Sequence, residues 1–157
     1  MDWTKLDWAA LDRLRDGFLH GGAAAGPYWQ SESALASYDL TYGERIGWKW
    51  DQVLRELTMR GWTPPDRATV LDWGCGSGVA GRRVIAHFGP ERFSALQLWD
   101  HAPVAVDYAE KRARGFLRCG PRQSRRVYCK ATDRSDFCSS VTCLTSFRPT
   151  HSRRCAA

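Results

Sequence analysis

The sequence contains no long apolar run and no leader-like start. No stretch approaches the roughly 20 consecutive apolar residues that a membrane-spanning helix needs. The first seven residues, M-D-W-T-K-L-D, lack the basic segment and apolar core of a secretory signal. We therefore expect no membrane contact and a cytoplasmic location, where the six cysteines remain thiols rather than disulfides.

Tryptophan and acidic residues become scarce after about residue 114. All eight tryptophans lie between Trp3 and Trp99. Residues 115–157 contain nine Lys and Arg but only two acids, whereas residues 1–114 contain 14 Lys and Arg and 15 acids. The formal net charge of +6 therefore originates in the last segment, which also contains five of the six cysteines. We expect residues 115–157 to be a disordered, basic, cysteine-rich tail.

The hydrophobic periodicity ends at the same point in the chain. One hypothesis is that the coding sequence is read out of frame from about residue 115 onward. The nucleotide sequence tests it, because another frame downstream should then encode further strands and helices. The alternatives are a tail that binds RNA phosphates and an unstructured basic tail that binds any polyanion weakly.

The tail also lacks the closely spaced cysteine pairs that are typical of zinc sites. The pattern in the tail that is most similar to a set of zinc ligands has the spacing C-x4-C-x7-H-x3-C. It consists of Cys138, Cys143, His151 and Cys155. Strong zinc signals contain C-x2-C pairs instead. We therefore predict no metal site.

The first 66 residues have the pattern of a helical lead-in. Apolar residues at helical spacing predict three helices, over residues 4–19, 33–38 and 46–57. Thr4 is the expected N-cap of the first helix, and Gly61 is the expected stop of the third. The buried face of the first helix is expected to contain Trp8, Leu11, Leu14 and Phe18.

Residues 68–114 alternate between strand and helix patterns. We predict a strand over residues 68–73, a helix from near Gly78 to Phe88, a strand over residues 93–100 and a helix that begins near Pro103. Such β-α-β-α alternation indicates parallel strands and the beginning of a doubly wound sheet. No strand is predicted after residue 114, so the sheet is expected to be unfinished.

The turn between the first strand and its helix is rich in glycine. Residues 72–78 read D-W-G-C-G-S-G, and glycine allows both a sharp turn and close approach of a ligand. Residues 76–81 also satisfy G-x-G-x-x-G with Asp100 about twenty residues on, as a dinucleotide site requires. However, a nicotinamide site needs its first glycine directly after the strand, which here is Gly74. A third interpretation is that these glycines only form a tight turn.

The register V-L-D-W-G-C-G-S-G over residues 70–78 resembles motif I of the class I S-adenosylmethionine-dependent methyltransferases. Asp100 resembles their ribose-binding acid. The resemblance implies that S-adenosylmethionine is the cofactor, that Asp72 lies near its methionine ammonium group and that His101 lies beside its adenine. The cofactor-binding residues that it implies are Asp72, Gly74, Cys75, Gly76, Gly78, Asp100 and His101. No catalytic residue is identified, because these enzymes place such residues on later strand ends.

A second resemblance covers about residues 28–114. Y-W at residues 28–29 and Y-D-L-T-Y-G-E-R-I-G-W-K-W at residues 38–50 resemble the bacterial branch of methyltransferase-like proteins related to the mitochondrial small-ribosomal-subunit assembly factor. This resemblance implies a link to the small ribosomal subunit, with ribosomal RNA or a ribosomal protein as methyl acceptor. Members of that family hold a metal or iron–sulfur centre with cysteines in Cys-Pro pairs. No Cys-Pro pair occurs in this sequence, so we do not expect the metal or iron–sulfur centre in this chain.

The expected fold is therefore α/β: a partial Rossmann-like, doubly wound methyltransferase fold. It would comprise a helical lead-in (1–66), the first half of a methyltransferase-like domain (67–114) and the tail (115–157). The expected function is that of a methyltransferase-like protein, inactive as this chain because half of its pocket is lacking. The alternatives are a non-enzymatic ribosome-assembly or RNA-binding factor and a dinucleotide-binding protein of the NAD type. The oligomeric state is left open.

Overall fold

The computed structural model describes residues 3–20, 28–117, 126–129 and 142–143 of the 157-residue chain. Within these residues the protein is mixed α/β, with helices packed around a parallel sheet. None of the described helices is both long and apolar enough to cross a membrane.

The first helix, α1 (Trp8–Leu19), begins later than predicted. Its N-cap is Asp7, whose Oδ1 accepts a hydrogen bond from the backbone N–H of Ala10 at 2.9 Å. Thr4 lies in a preceding 3-10 turn (Trp3–Lys5), so its predicted role as N-cap was wrong. An aspartate carboxylate one turn later competes successfully for the unpaired N–H groups of the helix.

Only the middle of the predicted apolar face of α1 is buried. Leu11 and Leu14 lie in the core, whereas Trp8 and Phe18 are 52% and 79% exposed. The two ends of the stripe are therefore more than half exposed to solvent.

The second and third predicted helices form one helical run. Helix α2 (Glu32–Tyr38) leads through a π-helical segment (Asp39–Gly43) into α3 (Glu44–Met59), and the junction residues keep helical dihedral angles. Ser31 caps α2 by accepting a hydrogen bond from the N–H of Ala34 at 3.2 Å. A π-helical segment inserted between α-helices is often found at a functional position.

Gly61 terminates α3 as predicted. Its φ is +77°, and its N–H donates to the carbonyl of Thr58 at 3.0 Å. The N–H of Trp62 donates to the carbonyl of Leu57 at 2.9 Å. These two bonds form a Schellman motif, which requires the left-handed conformation that glycine adopts without strain.

The predicted β-α-β-α unit is confirmed. It consists of β1 (Ala68–Trp73), α4 (Val79–Phe88), β2 (Phe93–Trp99) and α5 (Pro103–Leu117). Strands β1 and β2 pair in parallel, with Asp72 opposite Leu98 and Trp73 opposite Trp99.

Two further strands join this sheet. They are β3 (Arg126–Cys129) and β4 (Thr142–Cys143), and the strand order is β3-β2-β1-β4 with every pair parallel. The prediction that no strand follows residue 114 was therefore wrong at these two places. Strands of four and two residues are too short for an alternating pattern to be recognisable. The rest of the predicted tail, including Cys138, His151 and Cys155 of the spaced set, lies outside the described residues.

The lead-in and the sheet share a hydrophobic core. Leu54 of α3 belongs to the same buried cluster as residues of β1, α4, β2 and α5. A second cluster joins α1, α2 and α5 around Leu35, which is fully buried. The boundary at residue 66 therefore separates two sequence patterns that pack together in the fold.

Candidate functional site

The glycine-rich turn lies at the carboxyl ends of β1 and β2. Gly74, Gly76 and Gly78 have φ angles of +69°, +51° and +74°, which explains why glycine occupies every second position. The turn is attached to β2 by a hydrogen bond from the N–H of Cys75 to the carbonyl of Trp99 at 2.9 Å. The structure thus holds the turn directly beside the end of the second strand.

Asp100 bridges this turn and the segment that leads into α5. Its Oδ2 accepts the N–H of Gly76 and its Oδ1 accepts the N–H of Ala102, both at 3.0 Å. The residue is half-buried, and each carboxylate oxygen can accept a further hydrogen bond. The structure therefore brings Asp100 to the glycine turn, as the sequence predicts.

Asp72 lies beneath the first turn of α4. Its side chain is buried, and Oδ2 accepts the N–H of Gly81 at 2.9 Å. The pKa of Asp72 is raised to about 6, chiefly by burial and to a smaller extent by the nearby Asp100, whereas the Gly81 N–H and Arg82 oppose this rise. The carboxylate thus occupies an N–H group at the helix N-terminus that a ligand would otherwise use.

The three turn glycines differ in how much space surrounds them. A Cβ on Gly74 would meet nothing within 4 Å, and this residue is exposed. A Cβ on Gly76 would lie 3.3 Å from the indole ring of Trp29, and one on Gly78 would lie 2.8 Å from the Cβ of Ala109. The open side of the turn is therefore at Gly74.

An aromatic group adjoins this open side. The rings of Trp73 and Trp99 stack with their centroids 4.0 Å apart, and His101 packs edge-on against Trp99 at 4.6 Å. Trp73 and His101 are exposed. Sequence reasoning missed both tryptophans, although each one is the last residue of its strand.

A charged network behind the turn was also missed. Arg82 donates to the carbonyl of Ser77 at 2.6 Å and to Asp39 of the π-helical segment at 2.7 Å. Asp39 also accepts from Arg112 of α5 at 3.1 Å. No periodic pattern could indicate this network, because Asp39 and Arg82 are 43 residues apart in sequence.

Two other side chains of the turn face inward. Cys75 is a buried thiol that packs in the main hydrophobic cluster. The hydroxyl of Ser77 is buried and has no hydrogen-bond partner among the described residues. Neither group faces the open side at Gly74.

The open side combines backbone without side chains, a carboxylate with spare acceptor capacity and aromatic ring faces. These groups fit a ribose with an attached base, because a carboxylate accepts hydrogen bonds from paired hydroxyls and rings stack on a base. Within the described residues, His, Cys, Asp and Glu form no group of three that could hold a metal ion.

Comparisons with protein-family models, with curated proteins and with solved structures gave no significant match.

Proposed function

We propose that the open side of the turn binds S-adenosylmethionine and that this chain is a methyltransferase-like protein. The observation that carries the proposal is the position of Asp100. The backbone N–H groups of Gly76 and Ala102 hold its half-buried carboxylate against the glycine turn, whose open residue is Gly74. A fixed carboxylate at that place suits the two hydroxyls of a ribose.

The strand order supports a partial Rossmann-like, doubly wound fold. The order β3-β2-β1-β4 agrees with the first four strands of the doubly wound arrangement 3-2-1-4. Ligands of such folds bind beyond the carboxyl ends of the strands, where the order reverses. In this sheet that point lies between β1 and β4, and the glycine turn follows β1.

The register of the turn favours S-adenosylmethionine over a nicotinamide dinucleotide. Strand β1 ends at Trp73, so Gly74 is the first glycine after the strand. A dinucleotide pattern G-x-G-x-x-G that began there would need a third glycine at residue 79, where the chain has valine. The motif with glycines at residues 74, 76 and 78 requires no such glycine.

Each group around the turn has a role in this proposal. Asp100 would accept the ribose hydroxyls, and Trp99 with His101 would contact the adenine. Gly74 would admit the cofactor close to the backbone, and Asp72 would hold α4 in place from below. The bound sulfonium would supply the transferable methyl group.

The proposed acceptor is ribosomal RNA or a protein of the small ribosomal subunit, as the resemblance of residues 28–50 implies. The alternative within the same fold is an assembly factor that binds the cofactor without transferring its methyl group. Incubation of small subunits with methyl-labelled cofactor separates the two, because only the enzyme would label them. Cofactor binding without labelling would favour the assembly factor.

Calorimetric titration with S-adenosylmethionine tests the binding site. Asp100→Asn replaces the carboxylate that would accept hydrogen bonds from the ribose hydroxyls with a neutral amide. We expect this change to weaken binding at least about tenfold. Asp12→Asn, an exposed change on α1, is the matched control and should leave affinity unchanged. Equal affinity of wild type and Asp100→Asn would remove Asp100 from the site, and tighter binding of NAD⁺ would identify a dinucleotide site instead.

Gly74→Ala tests which side of the turn receives the cofactor. Gly61→Ala is its control, because Gly61 also has a positive φ with nothing within 4 Å of a Cβ but lies at the end of α3. Both changes should cost about 1–2 kcal/mol of stability from backbone strain. Only Gly74→Ala should weaken cofactor binding, because its methyl group would occupy the open side. Equal binding by both variants would contradict the proposed location.

A further inference from the structure

A cleft of about 500 Å³ lies among the helices of the lead-in. It is formed by α1, the segment before α2, the end of α2, the π-helical segment and α3. Its volume falls within the range of roughly 300–1,000 Å³ that is typical of small-molecule sites. None of the residues at the glycine turn lines it.

The described walls of the cleft contain positively charged side chains and no negatively charged ones. Arg15 of α1 and Arg45 and Lys49 of α3 line it, and its described lining contains no Asp or Glu. All three cations are exposed, and none of them forms an ion pair with a carboxylate in the described part of the chain. Three cations that line one cleft without a carboxylate among its described residues provide electrostatic complementarity to an anionic group.

Aromatic rings form the rest of the wall. Phe18 is 79% exposed at one side, and Tyr28 is 46% exposed at another. Tyr38 and Tyr42 also line the cleft, with ring centroids 6.0 Å apart. Burial raises the pKa of Tyr38 to about 12, so its phenol remains protonated at neutral pH and can donate a hydrogen bond.

We propose that this cleft binds a nucleoside phosphate. The base would stack on the tyrosine and phenylalanine rings, and the phosphates would pair with Arg15, Arg45 and Lys49. A base needs flat π-faces, and a phosphate needs convergent cations. The walls of this cleft supply both, and its volume suits a small ligand more than a polymer. The site is separate from the proposed cofactor site, although Trp29 packs against both Gly76 and Tyr38.

Titration of the full chain with guanosine diphosphate tests the charged part of the site. Arg45→Gln combined with Lys49→Gln should weaken binding at least about tenfold, because charge-assisted hydrogen bonds are lost. Arg13→Gln combined with Arg55→Gln is the matched control. It removes the same charge from exposed positions of α1 and α3 outside the cleft and should leave affinity unchanged.

A second pair of variants tests stacking. Tyr42→Leu should weaken binding of guanosine diphosphate at least about fivefold, as the loss of one stacked base contact predicts. Trp48→Leu, which removes a 60% exposed ring of α3 outside the cleft, should have no effect. Both variants should keep the thermal midpoint of the wild type within a few degrees.

The proposal is overturned if guanosine diphosphate does not bind at millimolar concentration, whether or not single-stranded RNA binds. Equal weakening by the cleft and control variants also overturns it. Loss of binding in Asp100→Asn but not in the cleft variants would place the nucleotide at the glycine turn, which also overturns it. Because Asp100 does not line the cleft, failure of S-adenosylmethionine to bind would leave this proposal intact.

Discussion

Asp72 is a carboxylate buried against the first turn of α4. Burial raises its pKa from the ordinary value of 3.8 to about 6, although the N–H of Gly81 favours the charged form. The folded protein therefore binds this proton more tightly than the unfolded chain. The contribution of Asp72 to stability is greatest below about pH 4 and declines as the pH rises to about 6.

Asp72→Asn should reverse this dependence. Asparagine can still accept the N–H of Gly81 but carries no charge, so the variant should gain stability relative to the wild type as the pH rises from about 4 to 7. The change in the difference between their free energies of unfolding should be about 3 kcal/mol, as a shift of about two pKa units predicts. Urea unfolding at several pH values measures it.

Asp12→Asn is the control for this series, because Asp12 is exposed on α1. Its difference from the wild type should vary little over the same pH range. A constant difference for Asp72→Asn as well would show that the carboxylate titrates normally in the folded state.

The π-helical segment (Asp39–Gly43) contains a buried acid, Asp39, that contacts two other helices. Asp39 accepts hydrogen bonds from Arg82 of α4 and from Arg112 and Tyr108 of α5. It therefore ties the lead-in to both helices that follow the strands. Arg82 also binds the carbonyl of Ser77, so the same network supports the glycine turn.

Asp39→Asn should destabilise the protein by about 2–3 kcal/mol. This is less than the 3–5 kcal/mol expected for breaking a fully buried pair, because half of the Arg112 side chain is exposed and the amide oxygen can still accept at one of the two former carboxylate positions. Chemical denaturation measures the loss.

Asp51→Asn provides the comparison for that variant. Asp51 of α3 pairs with Arg83 at 3.1 Å, but both side chains are partly exposed. We expect a cost below about 1 kcal/mol, as for surface ion pairs. Equal costs for the two variants would mean that the buried network adds nothing beyond an ordinary surface pair.

The lead-in and the sheet are expected to unfold together, because they share one core. Leu54 of α3 is 1% exposed and packs with residues of β1, α4 and β2. Leu54→Ala should cost about 2–5 kcal/mol, which includes the cavity that it leaves. Circular dichroism and tryptophan fluorescence should report one coincident transition before and after the change.

Val53→Ala is the matched control, since Val53 lies next to Leu54 but is 49% exposed. We expect it to cost less than about 1 kcal/mol. Two separate transitions in the wild type would show that the helices and the sheet are independent units.

The part of the fold that could be predicted is the part encoded in nearby residues. The bounds of β1 agree with the structure, and Gly61 and Pro103 mark helix ends as expected. The position of Asp100 at the turn was implied only by the resemblance to the class I methyltransferases, and the structure shows its hydrogen bond to the N–H of Gly76. The predicted N-cap of α1 was wrong because the side chains of Thr4 and Asp7 both suit that position. Only the packed structure of the helix distinguishes them.

The sequence by itself determined the β-α-β-α order and the glycine turn, because glycine, proline and apolar spacing act over a few residues. Only the tertiary structure decided how the turn is used. Packing buried Asp72 under α4, placed Trp29 over Gly76 and left Gly74 open. It also gathered the cations and rings of the cleft from separate helices. These outcomes depend on contacts between residues far apart in the chain, which local patterns do not encode.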